Sequence, residues 1–307
     1  NKFKLYRLLR KNTNLSYKRS PAFEQNKWAK VLIYMGGGLF VLYLILYGGI
    51  IAMTADGEAG RMISMMPIIL LIDFFLRFIF QTTPGMMVKP YILQPISRYT
   101  AIECFLVSEH LSSYNLLWLA MFIPYSMIIL IAGAGFWAVL LELIASLLMI
   151  MLNSQIYLFF RTLINRSVLW MIPALAFYAL PFSPLLVNHK NSAISKLIDT
   201  YAAIGASWYF VPALILIIVG LFYANRAFQF KYVYEEISKS KERALKHVSQ
   251  FRFLERFGLI GEYLKIELKS NLRNKTMRSR CIMSLTLIVV FSLLVAYTPM
   301  YDNALMQ

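Results

Sequence analysis

Apolar residues do not alternate along this chain; they run in blocks. Seven stretches carry almost no charge: residues 31–53, 62–80, 114–132, 135–160, 167–186, 203–224 and 281–298. A helix rises about 1.5 Å per residue, so about 20 apolar residues cross a hydrocarbon core roughly 30 Å thick. The pattern therefore predicts an all-α polytopic membrane protein. Pro173, Pro181 and Pro184 interrupt the fifth block. That block predicts a kinked or broken helix, which a membrane tolerates where neighbours satisfy the freed carbonyls.

The polar segments between the blocks carry the orientation. Segments 1–30, 81–113, 161–166 and 225–280 hold 27 Lys and Arg, whereas the alternate segments hold three. Basic loops stay on the cytoplasmic side, so the N-terminus is expected inside a bacterial inner membrane. Turns 54–61 and 133–134 and the loop 187–202 are then expected outside. The net charge of +16 lies beside apolar blocks, which points to the bilayer surface as its partner and not to nucleic acid. Only 15% of the 307 residues are charged and 59% are hydrophobic, against about 25% charged in soluble domains. Cys104 and Cys281 fall at expected cytoplasmic helix ends, where thiols stay reduced.

Two basic segments precede apolar blocks. In residues 3–10, Leu5, Leu8 and Leu9 fall on one helical face, with Lys4, Arg7, Arg10 and Lys11 largely off it. Such a helix lies in the headgroup region. Residues 262–281 repeat this plan before the seventh block, and Arg278-Ser279-Arg280 there compares with Lys18-Arg19-Ser20. A weak internal repeat of about 250 residues follows. It divides the chain into an amphipathic elbow (1–30), a six-span unit (31–224), a charged linker helix (225–260), and a second elbow with a seventh span (261–307). The second unit stops after one span and the chain opens on Asn1, so it is expected to be part of a longer protein.

Charged residues inside the blocks mark candidate sites, because they are costly in lipid. Asp73 and Arg77 stand one helical turn apart, a spacing that allows a salt bridge on one face. Arg77 is also near enough to the block's end to reach the headgroups. Glu142 has no basic neighbour in its own block. Each is open to a transport role or a structural one. Asn153 and Gln155 lie further along the block of Glu142 and are placed to bond between helices. Gly36-Gly37-Gly38 is expected to let another backbone approach.

The loop between the second and third blocks is rich in proline. It runs Pro90-Tyr91-Ile92-Leu93-Gln94-Pro95-Ile96-Ser97-Arg98. This run resembles the cytoplasmic coupling segment of ABC-2-type transporter permeases (type V exporter-like transmembrane domains), in which a Leu-Pro-Ile/Leu-Ser-Arg-like sequence joins the second and third spans. Gln94 stands where that family commonly has Leu. The basic elbow and the six-span unit resemble the same family. The resemblance implies a permease subunit of an ATP-driven exporter, coupled through residues 81–98 to a separate nucleotide-binding subunit. ATP and Mg would be held by that partner, itself expected to be a dimer, and no cofactor by this chain. Two permease units, in one chain or as a homodimer, would complete the transporter. The two prolines would stiffen the run, with Tyr91, Ile92, Leu93 and Ile96 as apolar anchors and Arg98 as a charge.

No Gly-x-x-x-x-Gly-Lys-Ser/Thr run and no His-Glu-x-x-His motif occurs, and His110, His189 and His247 lie far apart. The chain itself is expected to be no enzyme and to hold no metal. The competing expectation is a membrane-embedded lipid-modifying enzyme using Asp73, Arg77 and Glu142, or an assembly scaffold.

Overall fold

The computed structural model describes residues 2–18, 27–55, 57, 59–81, 91, 96–182, 207–239 and 251–273, with scattered positions from 281 to 292. Every regular element among them is helical. The α-helices are α1 (Lys2–Lys18), α2 (Lys27–Met53), α3 (Arg61–Phe80), α4 (Arg98–His110), α5 (Ser113–Leu117), α6 (Leu119–Ile131), α7 (Phe136–Arg166), α8 (Met171–Ala179), α9 (Phe210–Lys239) and α10 (Gly258–Arg273). Four of them, α2, α3, α7 and α9, are long and apolar enough to cross a membrane. A bent pair, Tyr99–Leu117 with Leu119–Ile131, makes a fifth if counted as one span. The chain is an all-α polytopic membrane protein. Most of the seventh block, the loop 187–202 and linker residues 240–250 lie outside the described residues, and linker residues 225–239 continue α9 without a break.

Side-chain hydrogen bonds set the direction of the helices. Bonds between α3 and α7 join residues 77 to 83 positions apart. Bonds between α7 and α9 join residues 67 to 71 apart. A constant offset means parallel helices, so α3, α7 and α9 all run the same way. The chain must return between each pair. After α3 it returns through α4, α5 and α6. After α7 the return falls within residues 167–209. There α8 climbs back until Tyr178 meets Asn153, which is 13 residues or about 20 Å along α7. The fifth block is thus broken: α8 has nine residues and is flanked by 3-10 turns at Val168–Trp170 and Leu180–Phe182.

The third block departs from a single straight span. Within it, α6 is bent by 55° at Trp118 from the run Tyr99–Leu117. The cause is local. The Asn115 amide donates to the carbonyls of Glu109 (3.1 Å) and His110 (2.7 Å). It satisfies the open end of α4 and so removes the need for the helix to continue.

Two apolar cores result. One gathers Met62, Met66, Met121, Phe122, Ile129 and Met149 around the N-terminal half of α3. The other gathers Phe74, Phe75, Phe78, Ile102, Phe105 and Tyr178 around its C-terminal half. Phe136, Trp137, Trp208 and Tyr209 are exposed where α7 and α9 begin. These helices are parallel, so the four aromatics share one end of the bundle, as interfacial aromatics do. At α1 the apolar stripe divides. Leu9 is buried and Arg10 donates to the Leu111 carbonyl at 3.3 Å, while Leu8 faces outward.

The close backbone approach on α2 occurs at Gly48 and not at the glycine triplet. A Cβ at Gly48 would stand 2.3 Å from the Met121 carbonyl oxygen, whereas among the described residues nothing lies within 4 Å of one at Gly36, Gly37 or Gly38. Gly48→Ala is therefore expected to destabilise the protein by about 1–3 kcal/mol through forced separation of α2 and α6. Gly37→Ala should be neutral or stabilise by about 0.5–1 kcal/mol through helix propensity. Thermal unfolding in detergent measures both, and equal effects at the two sites would contradict the packing.

Candidate functional site

The face that α3 presents to α7 is polar. Asp73 and Arg77 stand four residues apart, so both project to the same side of the helix. Arg77 is 0% exposed and Asp73 2%. The Arg77 Nε donates to Asp73 Oδ2 at 2.6 Å. Its Nη2 donates to Asn115 Oδ1 at 2.5 Å and its Nη1 to Ser154 Oγ at 3.4 Å. Arg77 is thus turned inward and does not reach toward headgroups.

Asp73 is held by three donors. Besides Arg77, Asn153 Nδ2 reaches Oδ2 at 2.8 Å and Trp118 Nε1 reaches Oδ1 at 2.7 Å. The Tyr178 hydroxyl donates to Asn153 Oδ1, and the Tyr157 hydroxyl to the Arg77 carbonyl at 3.2 Å. Side chains from α3, α7 and α8, from α5, and from Trp118 between α5 and α6 converge on one ion pair. A buried pair is stable only when its remaining donors and acceptors are matched in this way.

The cluster extends toward the C-terminal end of α3. The Gln81 amide donates to the Glu109 carboxylate of α4. His110 Nδ1 lies 3.0 Å from both the Leu106 carbonyl and Gln155 Nε2. Asn225 of α9 donates to the carbonyl and side-chain oxygens of Gln155 at 2.9 Å, and Gln229 to Thr162 Oγ1 at 2.6 Å. Polar side chains thus bond α7 to α3 on one side and to α9 on another.

Among the described residues Glu142 has no ion pair, and its partner is a helix end. Gly60, at φ 108°, precedes α3 and offers no side-chain cap. The Glu142 carboxylate, brought by α7, accepts the Met62 amide at 3.0 Å and the Tyr125 hydroxyl at 3.2 Å. It therefore caps α3 from another helix, at the positive end of the helix dipole. The opposite end of α3 has a matching cation. Arg161 Nη1 donates to the Phe78 carbonyl at 3.1 Å, and its guanidinium lies 3.8 Å from the centre of the Phe78 ring. Arg161 counts as a loop cation by sequence; it is buried in the fold.

The three intramembrane charges singled out by sequence do not form one cluster. Asp73 and Arg77 share the central site, and Glu142 stands apart at the α3 N-terminus. Of the coupling run, Pro90, Ile92, Leu93, Gln94 and Pro95 lie outside the described residues. Tyr91 packs toward Phe105 of α4, with ring centres 5.9 Å apart. Ile96 and Ser97 precede α4, and Arg98 opens it. Sequence reading missed Gln81, Glu109, Asn115, Trp118, Arg161, Tyr178, Asn225 and Gln229 as members of the network. One signal was present: Glu142, Ser146, Asn153, Tyr157 and Arg161 recur at helical spacing along α7. Among the described residues, no group of three or more His, Cys, Asp or Glu is placed to hold a metal ion.

The fold and its buried network define a polytopic helical membrane protein whose helices are joined by polar side chains in their interior. Residues 14–307 match a family of unknown function, DUF5687, and the chain belongs to it. Neither a curated protein nor a solved structure matches it.

Asp73→Asn leaves the Arg77 guanidinium buried without its counter-charge and is expected to cost about 3–5 kcal/mol. The double variant Asp73→Asn/Arg77→Gln should lose much less than the sum of the two single losses. Thermal unfolding in detergent reads both, and strictly additive losses would show that the pair is not coupled.

Proposed function

We propose that this chain is the permease of an ATP-driven ABC exporter, with its N-terminus in the cytoplasm of a bacterial cell. Residues 31–224 form its six-span unit in the inner membrane. A separate ATPase subunit docks on the loop 81–98 and supplies the nucleotide and metal chemistry. A second permease unit, in the same chain or a second copy, completes the assembly. Analogy to the ABC-2 permeases supplies the class of partner, and the distribution of basic residues, 26 to three once the buried Arg161 is set aside, supports the orientation.

The observation that carries the reading is how the two flanks of that loop are fastened. On one flank, the Gln81 backbone N–H closes α3 by donating to the Arg77 carbonyl at 2.8 Å, and its side-chain amide donates to Glu109. On the other flank, α4 is tied to α9. Arg226 pairs with Glu103 at 2.8 Å and lies over the Tyr99 ring at 5.2 Å. Tyr99 stacks on Phe230, with centres 4.0 Å apart and planes 3° from parallel. Force applied to the loop would therefore reach α3, α4 and α9 together, and α7 through its polar bonds to α3 and α9. A coupling element needs that rigidity, because packed elements transmit a displacement only when they move as a body.

Two sets of variants separate docking from transmission. Tyr91→Ser/Ile92→Ser/Leu93→Ser is expected to abolish co-purification with the ATPase. Arg226→Ala is expected to retain the ATPase while reducing transport-linked ATP hydrolysis several-fold. If no ATPase co-purifies with the unaltered protein, the exporter reading fails.

A further inference from the structure

Helix α1 is docked by one face only. Leu9 is 3% exposed, and Arg10 reaches the Leu111 carbonyl just past the end of α4. The opposite stripe runs Lys4, Arg7, Leu8, Lys11 and Leu15, at spacings of three, one, three and four residues along the helix. All five are exposed, as is Phe3 beside them, with the Arg7 guanidinium 5.5 Å from the centre of its ring. The 17 residues of α1 contain no Asp or Glu. Among the described residues, none of Lys4, Arg7 and Lys11 has an ion pair.

We propose that this stripe is a binding surface for anionic phospholipid headgroups in the leaflet that borders α1. The argument is chemical. Three cations set between Phe3, Leu8 and Leu15 are unsuited to a purely aqueous face, and equally unsuited to an apolar protein groove. They fit the boundary where acyl chains meet phosphates. There the apolar side chains enter the hydrocarbon while Lys and Arg stems extend to the headgroup oxygens. Each basic residue near an anionic leaflet adds attraction, so a zwitterionic bilayer would hold the helix less firmly. The site also has a route inward. Leu9 and Arg10 join α1 to the end of α4, beside Glu109 and His110, so a lipid that fixes α1 also steadies that end of α4. The inference concerns lipid and not the transported substrate, and it stands independently of the exporter reading.

Hydrogen exchange of the full chain in nanodiscs tests it. Discs of phosphatidylcholine alone are compared with discs that also contain phosphatidylglycerol. The expected result is several-fold slower exchange at residues 3–12 and 106–111 in the anionic discs. This slowing should disappear in Lys4→Gln/Arg7→Gln/Lys11→Gln and persist in Lys4→Arg/Lys11→Arg. Inorganic phosphate added to phosphatidylcholine discs should not reproduce it. The proposal is overturned by equal exchange in the two lipids, by slowing that survives the triple variant, or by full protection from free phosphate. The substituted residues are exposed, and unchanged exchange in α7 reports that each variant remains folded.

Discussion

Asp73 and Arg77, fully enclosed between helices, are the interaction on which the rest of the structure turns. Apolar helices in lipid gain little by exchanging lipid contacts for contacts with each other. A buried carboxylate and guanidinium differ, because leaving either unmatched in hydrocarbon is costly. Each is matched here by residues from other elements: Asn115, Trp118, Asn153 and Ser154. Those partners can arrive together only if α7 lies parallel to α3 at an offset near 80 residues. The break after α4 and the bend at Trp118 are part of the same solution, since Asn115 and Trp118 both bond to the pair.

Helix α7 holds α3 along its length. Glu142 supplies a negative charge where α3 begins, and Arg161 a positive group where it ends. Both ends of the helix dipole are thereby complemented by one neighbour. The same α7 carries Gln155 and Thr162, which join it to α9. Three parallel helices are bonded through their interiors, whereas α2 meets α6 through a close backbone approach at Gly48. This division gives the exporter reading its physical content. The loop 81–98 emerges from the bonded set, so a partner gripping it would move α3, α7 and α9 with little slack.

Hydropathy alone made α2, α3 and α7 legible to within about six residues, because long apolar blocks have a single simple solution in lipid, whereas α9 runs from Phe210 to Lys239, well past the block's end at 224. It failed where side chains overrule length. Asn115 ends α4 by capping its carbonyls, a choice invisible to a hydropathy window. Pro173 and Pro181 announced the break around α8, but not that Tyr178 would return to Asn153. Asp73 and Arg77 were legible as a pair from their spacing. Their long-range partners were not, since nothing local links position 73 to positions 118 and 153. Arg161 was misread because charge at a block's end normally marks a loop; the stripe from Glu142 through Asn153 and Tyr157 was the clue that it faces inward.

The coupling energy between Asp73 and Asn153 tests this account most directly, because these two residues lie on different helices and meet only if α3 and α7 hold the stated register. It is obtained from the unfolding free energies of Asp73→Ala, Asn153→Ala, the double variant and the unaltered protein in one detergent or bicelle. A favourable coupling of about 0.5–1.7 kcal/mol is expected, in the range of interhelical hydrogen bonds in membranes. Losses that simply add, within about 0.3 kcal/mol, would mean that the two side chains do not meet and that α3 and α7 are held together in some other way.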